Sequence, residues 1–218
     1  DALNSSYEVE TFLITESANE KYFDASVQMQ RKSKNSYFIS DTLSQKISET
    51  KNSQGVFAVC KMKNENISLK TNQKYIALDN LQDPGNLGTV IRTAEALGIS
   101  SVIVGGGCDV FNPKVLRASM GSVLRLDVFE CQSLAPVLQK AKSLGIKTYA
   151  TSPDSSAKKI NETQFPKSSL CVIGNEANGV SDEVMNICDE TVTIPMLGRA
   201  ESLNAHVAGA IVMWEMLR

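Results

Sequence analysis

Three polar stretches combine glycines with amides, hydroxyls or a carboxylate, and each follows an apolar run: DNLQDPGNLGTVIR (Asp79 to Arg92), GNEANGVSDE (Gly174 to Glu183) and IPMLGRAESLNAHVAGA (Ile194 to Ala210). In the first, Pro84-Gly85-Asn86-Leu87-Gly88 reads as a tight turn into a helix, with backbone amides pointing outward for an anion or polar ligand. Arg92 stands six residues beyond Asn86, placed to reach back to that loop, and its planar fork matches a phosphate. A turn with a surface salt bridge is the plainer alternative. In the second stretch Glu176 is framed by Gly174, Asn175, Asn178 and Gly179. A carboxylate at a buried strand end needs partners, and the glycines suggest close backbone approach to a ligand; a helix-capping acid is the simpler reading. In the third, IPMLG exposes backbone in a turn, and Glu201, Ser202, Leu203 and Asn204 start a helix that Ser202 could cap.

Several other chemistries are absent. The triplet Gly105-Gly106-Gly107 does not continue into G-x-G-x-x-G, and no G-K-[ST] occurs. His206 is the only histidine and falls in an apolar helical stretch. A satisfied core or interface histidine is therefore favoured over a catalytic one, and zinc is disfavoured. The five cysteines are irregularly spaced without C-x-x-C, as expected of structural thiols in a reducing compartment. No apolar run reaches the roughly 20 residues of a membrane span, and cytoplasm is the expected location.

The elements that must position these stretches follow from periodicity. Before about Lys70, the extended segments Val9 to Thr15, Tyr37 to Ile39 and Gly55 to Cys60 alternate with helical ones, and the last of the three resembles a buried strand. DALNSSYE reads like a helix end entered midway, so upstream residues are expected. Lys61 to Lys74, polar and lysine-rich, reads as a linker. Thereafter strands over Tyr75 to Leu78, Ser101 to Gly106, Val123 to Glu130, Lys147 to Thr151, Ser169 to Gly174 and Thr191 to Pro195 alternate with helices. Such alternation predicts a parallel sheet covered on both faces, with ligands at the carboxyl ends of its strands. The final helix, Leu203 to Leu217, is apolar on nearly every face, which predicts burial all round, either in its own core or against a second subunit.

The net charge is −2. Residues 1–74 carry ten Lys and Arg against nine Asp and Glu, a net of +1, and the remainder carries −3. Arg31, Lys32 and Lys34 form a local basic cluster that is most simply a solvated helix end. Because phosphate affinity follows local charge, the acidic total does not exclude RNA.

Taken together, DNLQDPGNLGTVIRTAEALG, VIGNEANGVSDEV and IPMLGRAESLNAHVAGAIVMWE closely resemble the SpoU (TrmH-type) RNA ribose methyltransferases of the SPOUT superfamily. The resemblance implies an α/β fold: a parallel-sheet SPOUT domain (71–218) with a deep trefoil knot, dimeric through that domain, behind a small α/β RNA substrate-binding domain (1–70). It implies S-adenosylmethionine as cofactor, held by Gly174, Ile194 and Leu203, with Thr151 lining the same pocket. It also implies catalytic or substrate-positioning roles for Asn86, Arg92, Glu176, Ser202 and Asn204. The expected reaction is methylation of an RNA ribose 2′-hydroxyl, ribosomal RNA slightly before tRNA, with no metal and no membrane. A guanidinium does not readily lose its proton, so Arg92 is expected to position phosphate and stabilise developing charge. Two alternatives keep the fold: methylation of a base, or a catalytically silent RNA-binding or ribosome-assembly factor.

Overall fold

The first strand, β1 (Val9–Ile14), buries Val9, Phe12 and Ile14. The computed structural model describes residues 1–63 and 66–218, and the chain divides into two units, Asp1–Asn64 and Glu65–Arg218. The division falls in the stretch read as a linker, of which Asn64 and Glu65 lie outside the described residues.

In the first unit, α1 (Glu16–Lys21) is capped by Thr15, whose Oγ1 accepts from the Ala18 amide, and is followed by α2 (Phe23–Lys32). β2 (Asn35–Phe38), α3 (Asp41–Ile47) and β3 (Val56–Cys60) complete a sheet of order β2-β1-β3, with β2 parallel and β3 antiparallel to β1. Gly55 to Cys60 therefore supplies a strand but not a buried one: β3 is an edge, and Val56 and Val59 are exposed. The basic cluster is largely occupied. Lys32 Nζ donates to the carbonyls of Ala2, Leu3 and Ser5, which close a short 3₁₀ turn, and Lys34 pairs with Glu8 at 2.6 Å.

The second unit runs β4 (Lys74–Asp79), α4 (Pro84–Leu97), β5 (Ser101–Gly105), α5 (Pro113–Ala118), β6 (Asp127–Cys131), α6 (Ala135–Ser143), β7 (Lys147–Thr151), β8 (Lys158–Lys159), β9 (Ser169–Ile173), α7 (Asp182–Ile187), β10 (Glu190–Thr193) and α8 (Ala205–Leu217). All its pairings are parallel, in the order β6-β5-β4-β9-β7-β10-β8. The strand expected over Val123 to Glu130 starts only at Asp127, because Ser122–Leu124 forms a 3₁₀ turn behind Gly121 at φ +82°. The two-residue β8 has too little pattern to be read from sequence.

Period-two side-chain direction divides the core. Ile76 and Leu78 of β4 join Leu87, Val90 and Ile91 of α4 and Val212, Met213 and Met216 of α8 on one face. Tyr75 and Ala77 join Val137, Leu138 and Ala141 of α6 and Val184 of α7 on the other. α8 crosses back over the sheet to pack on α4 and β9, and Lys74 Nζ donates to the Met216 carbonyl near its end. Gly209 lets that crossing come close: a Cβ there would lie 3.0 Å from Ile173 Cδ1. Within the single chain the helix is buried on one face only. Ala205, Gly209, Val212, Met213 and Met216 face the core, whereas Val207, Trp214 (62% exposed) and Leu217 face outward. No helix among the described residues is long and apolar enough to cross a membrane.

Met213 is fully buried where α8 meets the sheet. Met213→Ala is expected to cost about 2–5 kcal/mol through lost burial and a residual cavity, read as a lower midpoint in denaturant unfolding.

Candidate active site

Pro84 to Gly88, read as a tight turn into a helix, already forms the first residues of α4. Asp83 is the N-cap of α4, its Oδ1 accepting from the Asn86 amide at 2.8 Å, and Pro84 takes the first helical position, where the missing N–H is not needed. The sequence Asp-Pro is the local signal for a helix that starts at Pro84. The positive end of the helix is indeed used for an anion, but the anion belongs to the chain. Glu176 accepts from the Gln82 and Asp83 amides, both at 3.3 Å, and from Asn86 Nδ2 at 2.9 Å.

The loop after β9 is built to deliver that carboxylate. Asn175 and Gly179 exchange backbone hydrogen bonds at 2.9 and 3.0 Å, and Asn175 Oδ1 accepts from the amides of Ala177 and Asn178. Gly179 takes φ +70°. A Cβ on Gly174 would stand 2.0 Å from the Gly179 carbonyl carbon and 2.2 Å from the Val180 nitrogen. Gly174 thus approaches the chain's own backbone closely. Asn175 Nδ2 also donates to the Asn80 carbonyl, and the Ser181 amide donates to Asp79 Oδ2, both at 2.8 Å. These bonds join the ends of β4 and β9. Glu176 is exposed rather than set in a buried strand end. Partial burial pushes its carboxyl up, but the bonds from Asn86 and from backbone amides outweigh this and hold it below the ordinary carboxylate value.

The third stretch enters α8 through Asn204, not Ser202. Asn204 is the N-cap, its Oδ1 accepting from the His206 amide at 2.9 Å. His206 is half-buried in the first turn, neither in the core nor isolated, and its Nδ1 lies 3.0 Å from Asn86 Oδ1. Sequence reasoning set this histidine aside because its neighbours are apolar; which way a first-turn side chain points is decided by the helix beside it.

A cleft of about 380 Å³ opens at the carboxyl ends of β7, β9 and β10. Thr151, Gly174, Ile194 and Leu203 all line it, as do Glu176 and Ser202. Thr151 Oγ1 donates to the Val172 carbonyl, so that hydroxyl also ties β7 to β9. Asn86, 7% exposed, lies behind Glu176. Arg92 does not line the cleft: it is exposed on α4, about 120° around the helix from Asn86 at 100° per residue. Among the described residues no group of three His, Cys, Asp or Glu side chains is arranged to hold a metal.

Comparison with known proteins adds to this geometry. The SpoU rRNA Methylase family matches residues 73–214, and a family described as RNA 2′-O ribose methyltransferase substrate binding matches residues 1–66. The chain is 36% identical over 181 residues to the 23S rRNA (guanosine(2553)-2′-O)-methyltransferase RlmP of Bacillus subtilis, covering 83% of this chain and 71% of the relative. A 23S rRNA (uridine(2479)-2′-O)-methyltransferase of Streptomyces viridochromogenes is 34% identical over 148 residues, 66% of this chain and 52% of that protein. Among solved structures, an AdoMet-bound rRNA methyltransferase from Sinorhizobium meliloti superposes with a TM-score of 0.87 at 26% identity, over 99% of this chain and 82% of that one. The AdoMet complex of the SpoU methyltransferase AviRb from Streptomyces viridochromogenes gives 0.84 at 27% identity, over 99% and 84%.

Two outcomes follow from the site geometry. Gly174→Ala forces its Cβ against backbone and is expected to cost about 1–3 kcal/mol, seen as a lower thermal midpoint. The Glu176 link is complete above the unfolded-state carboxylate value and is lost as pH falls through its lowered one. Protection of the Gln82 and Asp83 amides from exchange, relative to their intrinsic rates, should fall across that window, and Asn86→Ala should move the loss to higher pH in an NMR titration.

Proposed function

The chain belongs to the SpoU rRNA methylase family, and on that premise we propose that it transfers a methyl group from S-adenosylmethionine to a ribose 2′-hydroxyl of RNA, with ribosomal RNA the favoured substrate. The observation that carries this reading is the convergence of Thr151 at the end of β7, Gly174 after β9, and Ile194 and Leu203 of the segment between β10 and α8 on one cleft beside the Glu176–Asn86 pair. The cleft fits the cofactor. Its volume is in the range of small-molecule sites, its walls include Ile173, Ile194, Leu203 and Ala205 for the apolar faces of a purine ring, and loop backbone contributes polar groups. When bound, S-adenosylmethionine supplies a methyl group already activated by a positive sulfur.

The protein's task is alignment, bringing the hydroxyl in line with that methyl, a gain from proximity and orientation. Ser202, at the cleft wall, and Asn204, whose Oδ1 is committed to the helix cap, orient the ribose through a hydroxyl and an amide NH₂. Glu176 and Asn86 hold the wall they stand on. Arg92, exposed and outside the cleft, positions the substrate phosphate and stabilises negative charge developing on the attacking oxygen. Residues 1–66 carry the RNA-docking function.

Two architectural features complete the reading. The final segment threads a loop as a trefoil knot; its support is β9 inserted between β4 and β7, β10 outside β7, and α8 returning onto α4 and β9. The working form is a cytoplasmic homodimer, whose interface covers the outward Val207, Trp214 and Leu217.

Arg92→Ala is expected to leave S-adenosylmethionine affinity by calorimetry nearly unchanged and to lower methyl incorporation into RNA by about 100-fold. Equal loss of both would overturn this division of roles. Nuclease digestion and mass spectrometry should place the new methyl on ribose; a methylated base would refute the reaction assigned.

A further inference from the structure

His206 is the chain's only histidine, and the reaction above leaves it without a role. Its surroundings determine where its proton sits. The Glu176 carboxylate can only accept, so the end of the Asn86 amide that meets it at 2.9 Å is the NH₂ group. The other end, Oδ1, faces His206 Nδ1 at 3.0 Å, and an amide oxygen also only accepts. Nδ1 must therefore carry the hydrogen, and in the neutral ring Nε2 carries none. This is the less populated tautomer of histidine in water, so it takes a fixed acceptor to hold it. Asn86 meets that condition: it is 7% exposed, and its amide is pinned at both ends, while its backbone N–H is held by Asp83. Without the imidazole donor its carbonyl oxygen would be left largely buried and unpaired, a costlier loss than a surface hydrogen bond.

We propose that His206 is a positioning residue of this site. As a fixed Nδ1–H donor it orients Asn86, which presents its NH₂ to the Glu176 carboxylate at the cleft. Asn204 holds the His206 backbone amide at one end of the line, and the Gln82 and Asp83 amides hold Glu176 at the other. One hydrogen-bonded line thereby connects all three polar stretches, and a first-turn side chain of α8 sets the orientation of a carboxylate carried on the loop after β9. The consequence for catalysis rests on the methyltransferase reading; the tautomer does not.

Because there is a single histidine, the full chain labelled with ¹⁵N-histidine gives one imidazole pattern. At alkaline pH, long-range ¹H–¹⁵N spectra should show Nδ1 protonated, and Asn86→Ala should restore the ordinary Nε2–H form. An Nε2–H ring in the native chain, or a tautomer indifferent to Asn86→Ala, overturns the proposal. In steady-state methylation, His206→Ala and His206→Gln should each lower kcat by about tenfold with little change in KM for S-adenosylmethionine. His206→Asn, whose NH₂ falls near the Nδ1 position, should restore most of that loss. Thermal unfolding checks that each variant is folded. If folded His206→Asn is as impaired as His206→Ala, the positioning role is overturned and proton acceptance at Nε2 takes its place. A native Nδ1–H ring in a chain that methylates no RNA supports the hydrogen-bonded line and counts against the methyltransferase reading.

Discussion

Insertion of β9 between β4 and β7 is the constraint on which the rest of the site depends. Parallel pairing of Lys74–Leu78 with Ser169–Ile173 brings the carboxyl ends of two strands, about a hundred residues apart in sequence, to one edge. The loops that follow cannot avoid each other there. Each carries backbone groups that need partners, and the two loops supply them reciprocally, through Asn175 to Asn80, Ser181 to Asp79, and Gln82, Asp83 and Asn86 to Glu176. The same insertion leaves β7 and β10 to form the other wall of the cleft.

Electrostatics then decides which anion occupies the start of α4. The unpaired amides of a helix N-terminus attract negative charge, and a surface carboxylate in water has little reason to stay in one place. Glu176 stays because several donors converge on it and the Asn175–Gly179 bridge carries it to them. Its lowered proton affinity is the thermodynamic counterpart of those bonds. The glycines of this loop serve the same end. Gly174 permits backbone-to-backbone contact and Gly179 a left-handed conformation, and both also line the cleft.

The basic cluster and the apolar final helix acquire their partners only in three dimensions. Two charges of the basic cluster Arg31, Lys32 and Lys34 are engaged within their own unit, by carbonyls at Lys32 and by Glu8 at Lys34. The apolar final helix buries one face and leaves Trp214 outward, so its excess hydrophobicity is unmatched within the single chain.

Local chemistry made much of the architecture legible. Runs such as SVIVG and SLCVI, β-branched and bounded by turn residues, read as strands covered on both faces and are so, and the three polar stretches fell at strand ends, where parallel sheets bind ligands. Thr151, Gly174, Ile194 and Leu203 could be assigned together only through the family resemblance, since nothing local marks an isoleucine or leucine as a cofactor contact. What sequence could not supply were the relations set by strand order: that Glu176 meets the start of α4, that Asn204 and not Ser202 caps α8, that Arg92 lies outside the cleft, and that His206 faces Asn86. Side-chain type and spacing determine which elements form, because hydrogen bonding and burial within a segment are local. Which group finally receives a given hydrogen bond depends on the neighbour the fold brings to it, and only the tertiary structure decided that.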